Sequence, residues 1–163
     1  MISKQTISDL ISFAEQGNSA AQFAFAMMCY KGKDALKNDE LAVHWWRKAA
    51  EQGEPLSQYC LGMMYCEGEG VPKDYTKAAY WCRKSAEQGF VDAQFILGAM
   101  YRLGDGVAKD EVEAYKWFNL AGAQGHKEAA RHLELLEAQM SSEDVAEAQK
   151  QASEWDEREN AAE

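Results

Sequence analysis

The sequence predicts an all-α protein, an α/α solenoid in which one helix-turn-helix unit follows another. The phrase Ala14-Glu15-Gln16-Gly17 returns at residues 50–53 and 86–89 and, as Gly-Ala-Gln-Gly, at residues 122–125, a spacing of 36 residues each time. A fixed period of this size indicates stacked copies of one supersecondary unit. The composition agrees, because 47% of the residues are apolar, alanine is abundant and there are only two prolines. Such a composition favours helices over strands.

The first helix of each unit is expected at residues 20–31, 56–67 and 92–103. Apolar residues recur there at positions i and i+3 beside a small residue, which is the pattern of a helix face that packs on a neighbouring helix. The small residue lets the partner backbone approach closely. The aligned columns are Phe25/Leu61/Leu97, Ala26/Gly62/Gly98 and Met28/Met64/Met100.

The loop after each first helix carries signals for a helix end and a helix start. A glycine is expected to end the first helix in the left-handed conformation, and an Asn or Asp to cap the second. Asp110 with Glu113 three residues later resembles a capping box. In the first unit, residues 33–36 depart from the Gly-x-Gly-Val pattern of the other two loops. The expected glycines are Gly32, Gly68 and Gly104, and the expected caps are Asn38, Asp74 and Asp110.

The second helices alternate small and bulky residues. Their columns are Ala42/Ala78/Ala114, Trp45/Trp81/Trp117, Trp46/Cys82/Phe118 and Ala49/Ser85/Ala121. The tryptophan column can be interpreted as a ligand cage or as core, and its recurrence with the architecture favours core packing. Gly53, Gly89 and Gly125 are expected to close these helices, and Pro55 suits a first helical position.

We predict a single domain, residues 1–163, whose terminal segments act as caps. Ser141 and the acids after it are expected to start a last helix whose apolar stripe, Val145, Ala148, Ala152 and Trp155, covers the end of the stack. The expected divisions are a half-unit at 1–13, full units at 14–49, 50–85 and 86–121, a partial unit at 122–140, a capping helix at 141–158 and a frayed tail at 159–163.

The repeat resembles two related families. Its small residue after Leu and its Ala114-to-Phe118 spacing resemble the tetratricopeptide class, and its 36-residue period, Gly104-to-Asp110 loop and Ala-Glu-Gln-Gly ends resemble Sel1-like repeats more closely. The resemblance covers about residues 14–140. It implies a right-handed α/α superhelix that serves as an adaptor or binding scaffold in bacteria.

Charge excludes some partners. The net charge is −10, of which residues 141–163 carry −6. Such a chain repels phosphate backbones, so no nucleic-acid partner is expected. No secretory signal is visible in the first residues and no apolar run is long enough to span a membrane, so we expect a cytoplasmic protein without a membrane partner.

No catalytic centre, metal site or cofactor is predicted. The four cysteines, Cys29, Cys60, Cys66 and Cys82, share no repeat position and form no CxxC, so buried thiols are favoured over a zinc site or disulfides. His44 lies in a column with Tyr80 and Lys116, which indicates a solvated face. The histidines lack converging partners for acid–base chemistry.

The candidate binding surface is the inward face of the first helices, taken by analogy with tetratricopeptide packing. Its positions follow the i, i+4, i+7 spacing of one helix face, and they are rich in aromatic residues and methionine. Arg102 is expected to be available to an acidic group. The alternative for the first column is core between repeats, and the second column is the better functional candidate. The three columns are Phe23/Tyr59/Phe95, Met27/Met63/Ala99 and Tyr30/Cys66/Arg102.

Three functional hypotheses follow. The first is a scaffold or adaptor that binds a protein or peptide in the concave groove of the superhelix. The second is an immunity-type protein that neutralises a cognate toxin, which the size and acidity permit. The third is an enzyme or metal-thiol protein. The sequence favours the first and identifies neither the partner nor the oligomeric state.

Overall fold

The computed structural model describes residues 4–32 and 37–162, and throughout these residues the secondary structure is helical, without a strand. Contacts divide the chain into two compact units, Met1–Gln88 and Gly89–Glu163, which are described in turn. The first contains α1 (Lys4–Glu15), α2 (Ser19–Lys31), α3 (Asp39–Glu51), α4 (Pro55–Glu67) and α5 (Tyr75–Ala86). The second contains α6 (Val91–Leu103), α7 (Glu111–Ala123), α8 (Lys127–Glu137) and α9 (Ser142–Ala162).

The helix boundaries confirm the expected caps. Asn38, Asp74 and Asp110 each accept a hydrogen bond from a backbone N–H in the first turn of the following helix. Gly68 ends α4 at φ 75°, a left-handed conformation that glycine adopts without a Cβ clash. The divergent loop at residues 33–36 lies outside the described residues.

The capping box expected at Asp110 is only half formed. The Asp110 carboxylate caps α7, but the Glu113 carboxylate accepts from Lys116 Nζ and from Trp117 Nε1, at 2.5 and 3.1 Å. The Asp110 N–H donates to the Tyr101 carbonyl instead, at 3.0 Å. The reciprocal bond from the Asp110 N–H to the Glu113 carboxylate is absent for two reasons. The Tyr101 carbonyl already accepts from that N–H, and Lys116 and Trp117 already donate to the carboxylate.

Small residues set the spacing inside each helical pair. In the first unit, a Cβ placed on Gly62 of α4 would lie 2.6 Å from the Cys82 sulfur of α5. In the second unit, a Cβ on Gly98 of α6 would lie 2.8 Å from the Phe118 ring of α7. The predicted close approach at this column is therefore confirmed, and both second-helix partners are fully buried.

A glutamine network explains the recurring Ala-Glu-Gln-Gly phrase. In the first unit, Gln58 is 4% exposed and donates to the carbonyl of Ala50, while Gln88 donates to its side-chain oxygen, at 3.1 and 2.7 Å. Gln22 makes the same bonds with Ala14 and Gln52. Buried amides of this kind must find partners, so the phrase supplies a polar link where α1, α3 and α5 end.

The last helix packs on α7 within the second unit. Ala148 and Ala152 are buried against it, and the rings of Trp155 and Trp117 lie 5.1 Å apart in an edge-on arrangement. The tail expected to fray from residue 159 is helical through Ala162, in keeping with the high helix propensity of Glu159, Ala161 and Ala162. Glu163 lies outside the described residues.

Candidate protein-interaction face

All nine residues of the predicted face are half-buried, so each retains some solvent exposure. They lie on the first helix of each hairpin, six in the first unit and three in the second. The first-unit residues are Phe23, Met27 and Tyr30 on α2 and Tyr59, Met63 and Cys66 on α4, and the second-unit residues are Phe95, Ala99 and Arg102 on α6.

Part of the first-unit face lines a cavity of about 220 Å³ between α2, α3 and α4. We call it the α2–α4 cavity. It brings together three of the predicted residues, Tyr30, Tyr59 and Met63, whereas Phe23 and Met27 do not line it. Its remaining lining comes from residues that the sequence did not single out as a site. These are Trp46, Cys60, Met64 and Glu67.

Trp46 forms the most buried part of this lining. It is 1% exposed, and its ring centroid lies 5.4 Å from that of Tyr30. Among the residues that the structure describes, none offers an acceptor to the Nε1–H of Trp46. Such a buried, unpaired donor costs about 1–3 kcal/mol, and indole N–H groups usually find a partner when buried. The sequence pattern groups Trp46 with Cys82 and Phe118 as bulky second-helix positions and gives no means of locating its N–H.

Carboxylates surround the Tyr30 end of the cavity. Burial raises the pKa of the Tyr30 hydroxyl, and the negative charges of Glu69 and Glu67 raise that pKa further. Asp39 pairs with Lys37 at 3.3 Å, and the Lys37 ammonium lies 5.4 Å from the centre of the Tyr30 ring. Within residues 4–32 and 37–162, Oδ1 of Asp39 and Oε2 of Glu69 are buried without a hydrogen-bond donor.

Neither Cys60 nor Cys82 supplies a nucleophile. Burial raises the pKa of the Cys60 thiol to about 12, with the Glu54 charge adding to the effect. Burial likewise raises the pKa of Cys82. Both therefore stay protonated at neutral pH. The four cysteines all lie in the described part of the chain and are free, and two of them, Cys60 and Cys66, are only half-buried rather than core.

In the second unit the structure favours the core interpretation of the first column. The Phe95 ring stacks on His126 at 4.4 Å and lies 5.7 Å from the Phe118 ring. Arg102 is held by His132, whose Nδ1 lies 2.6 Å from the arginine Nη1. Because arginine only donates, Nδ1 must accept, which requires a neutral ring. Burial and the Arg102 charge both lower the pKa of His132, in agreement with that form.

Two second-helix columns differ in solvent exposure. Trp45 and Trp117 are buried and Trp81 is half-buried, in keeping with a packing role. His44 and Tyr80 are exposed as expected, but Lys116 is buried, which corrects the expectation of a solvated face at that position. Lys116 is covered because α9 brings Trp155 to within 5.9 Å of its ammonium.

The described residues contain neither a candidate metal site nor a helix able to span a membrane. No group of three or more histidine, cysteine or acidic side chains there could hold a metal ion. In that same part of the chain, every helix is too short or too polar to cross a membrane.

The antiparallel helical hairpins with a 36-residue period, each with a half-exposed first-helix face, define an α-helical repeat protein of the solenoid class. The Sel1 repeat family model matches three consecutive segments, residues 19–54, 55–90 and 91–126. The chain therefore belongs to the Sel1 repeat family. Repeat proteins of this family generally act as scaffolds for protein–protein interaction.

Solved structures of bacterial proteins share the fold. A Sel1 repeat protein from Oxalobacter formigenes is 42% identical, with a TM-score of 0.72 over 78% of this chain and 96% of that one. A protective antigen of uropathogenic Escherichia coli with the same repeat fold is 29% identical, with a TM-score of 0.71. The match covers 93% of this chain and 40% of that antigen.

Cysteine rich protein B of Helicobacter pylori is 28% identical, with a TM-score of 0.61 over 78% of this chain and 96% of that one. Among curated protein sequences, the comparison finds no match.

Proposed function

We propose that this chain is a protein-interaction scaffold that binds a polypeptide partner through the half-buried face of its first helices. The single observation that carries the proposal is the α2–α4 cavity, which opens on that face and is lined by Tyr30, Tyr59 and Met63. Aromatic and methionine side chains provide contact area that adapts to a partner. The scaffold role general to this family supports the same conclusion.

A binding role without catalysis fits the side-chain chemistry. The raised pKa of Cys60 removes the thiolate that nucleophilic chemistry needs. His132 is committed to Arg102 and is not placed beside a nucleophile. The net charge of −10 disfavours a nucleic-acid partner and is compatible with a polypeptide partner.

The test compares two charge-introducing variants of the first unit in affinity capture from a lysate of the source organism. Met27→Glu/Met63→Glu places carboxylates on the proposed face, where desolvating them on binding would be costly. His44→Glu/Tyr80→Glu places two on exposed second-helix positions. We expect the first variant to lose a partner that the wild type retains and the second to keep it. Circular dichroism and thermal unfolding of both variants control for folding.

Loss in the second variant alone would place the binding surface on the second helices and contradict the proposal. A partner that both variants retain would also contradict the proposal. A captured toxin whose activity the chain suppresses would instead support an immunity role.

A further inference from the structure

The α2–α4 cavity has the size of a single side chain. Its volume of about 220 Å³ is below the roughly 300–1,000 Å³ of pockets that enclose small-molecule ligands. Met63 and Met64 lie on its walls, and their flexible thioethers can adjust to different apolar groups. An aliphatic or aromatic side chain of a partner fits this space better than a free cofactor.

The Tyr30 end of the cavity is negative. Glu67 lines it, and Glu69 acts electrostatically on Tyr30, which also lines it. Asp39 acts on the same tyrosine, and the only cation among these groups in the described residues, Lys37, is already paired with Asp39. Three carboxylates against one ammonium leave an excess of negative charge. Charge complementarity therefore favours a positively charged segment.

Unpaired polar atoms point to missing hydrogen-bond partners. Trp46 is 1% exposed, lines the cavity, and has an Nε1–H without an acceptor among the described residues. Asp39 Oδ1 and Glu69 Oε2 are buried acceptors without a donor in the same part of the chain. A peptide carbonyl would complement the indole, and lysine or arginine N–H groups would complement the carboxylates.

We propose that the α2–α4 cavity binds an apolar side chain of a positively charged amphipathic segment, whose basic residues pair with Glu67, Glu69 and Asp39. This inference rests on the proposed scaffold function and specifies the chemistry of its partner. The Lys37 ammonium over Tyr30 indicates that this end of the site already attracts cations.

The test uses the full chain labelled with ¹⁵N and three helical peptides of about 18 residues. One carries leucines at helical i, i+3, i+4, i+7 spacing with lysines on the opposite face, one replaces the lysines by glutamates, and one replaces the leucines by alanines. The chain has five tryptophans, and Trp46→Phe identifies the indole signal of Trp46. We expect only the leucine–lysine peptide to shift that signal to saturation, with affinity that falls about tenfold at high salt.

Matched variants separate a specific site from general charge attraction. Glu67→Gln/Glu69→Gln should weaken binding of the leucine–lysine peptide about tenfold. Glu15→Gln/Glu51→Gln removes the same charge from exposed helix positions of the same unit and should change affinity by less than about twofold. Equal weakening in the two variants would overturn the inference.

Other outcomes also decide against it. Three results would each overturn the inference of a cationic partner. They are equal binding of the leucine–glutamate peptide, an unshifted Trp46 signal, and no saturation at about 1 mM leucine–lysine peptide. If a peptide or captured protein of another charge is lost on Met27→Glu/Met63→Glu, the scaffold proposal stands while this inference falls. If no partner of any kind depends on that face, both fall.

Discussion

Gly62 lets α4 lie close to α5, because it carries a hydrogen atom where alanine would carry a methyl group. The added Cβ would lie 2.6 Å from the Cys82 sulfur and 3.3 Å from the Ala78 carbonyl oxygen. Gly122 is also helical, but a Cβ there would meet its nearest atoms at 3.6 Å, an ordinary contact. The same substitution therefore has opposite consequences at the two glycines.

We predict that Gly62→Ala destabilises the protein by about 1–3 kcal/mol through overpacking. Gly122→Ala should stabilise it by about 0.5–1 kcal/mol, because alanine loses less backbone entropy in a helix than glycine. Urea unfolding of each variant measures both. Adding Cys82→Ala to Gly62→Ala should recover part of the loss, and strictly additive effects would contradict the proposed clash.

At the scale of the element, short polar side chains fix the starts of the second helices α3, α5 and α7. The Asp74 carboxylate accepts from the Lys77 N–H at 3.0 Å and lies 3.2 Å from the Lys77 ammonium. The hydrogen bond from the Lys77 N–H, reinforced by its side chain, lowers the pKa of Asp74. A carboxyl group whose pKa is lower in the folded state is stabilising in its ionised form.

From this shift we predict the acid dependence of stability contributed by the cap of α5. The contribution is fully present above the unfolded-state pKa of about 4 and is lost as pH falls through the lower folded-state pKa. Asp74→Asn keeps a capping oxygen but does not ionise, so its unfolding free energy should fall less steeply with acid than that of the wild type. Parallel pH profiles of the two proteins would show that this carboxylate is not linked to folding.

At the scale of the whole molecule, the last helix adds packing to the hairpin that precedes it. In the second unit, α9 buries Ala148 and Ala152 and covers Lys116 on α7. Tyr115 adds a polar contact, because its hydroxyl donates to Glu137 at 2.6 Å and accepts from Gln149 at 3.2 Å. Repeat arrays commonly end in helices with a polar outer face, and a capping role of α9 stays a prediction.

A chain that ends at Met140 should therefore lose roughly 2–4 kcal/mol of stability, mainly from the lost apolar burial of α9. It should also bind a hydrophobic dye more strongly than the wild type. A chain that ends at Trp155 keeps the apolar stripe and serves as the matched control, with near-wild-type unfolding expected. Similar unfolding of both truncated chains would show that α9 does not act through packing.

Much of the fold and less of the candidate site could be predicted from the sequence. The hairpins, their caps and the close approach at Gly62 depend on local periodicity and on residue types whose preferred conformations are strong. The site was predicted as a face, and only Tyr30, Tyr59 and Met63 of it line the cavity. Trp46 and Glu67 were missed because lining depends on side-chain direction across three helices, which no periodicity encodes.

The sequence by itself determined the helical repeat, its period and its polar caps, because these depend on interactions within a few residues or on columns repeated every 36. Tertiary structure alone decided which polar atoms remain unpaired. Trp46 lacks an acceptor among the described residues, whereas Arg102 is held by His132, although both sit in regular repeat columns. Hydrogen-bond pairing depends on distances of a few tenths of an ångström between separate helices, and that precision arises only when the helices pack.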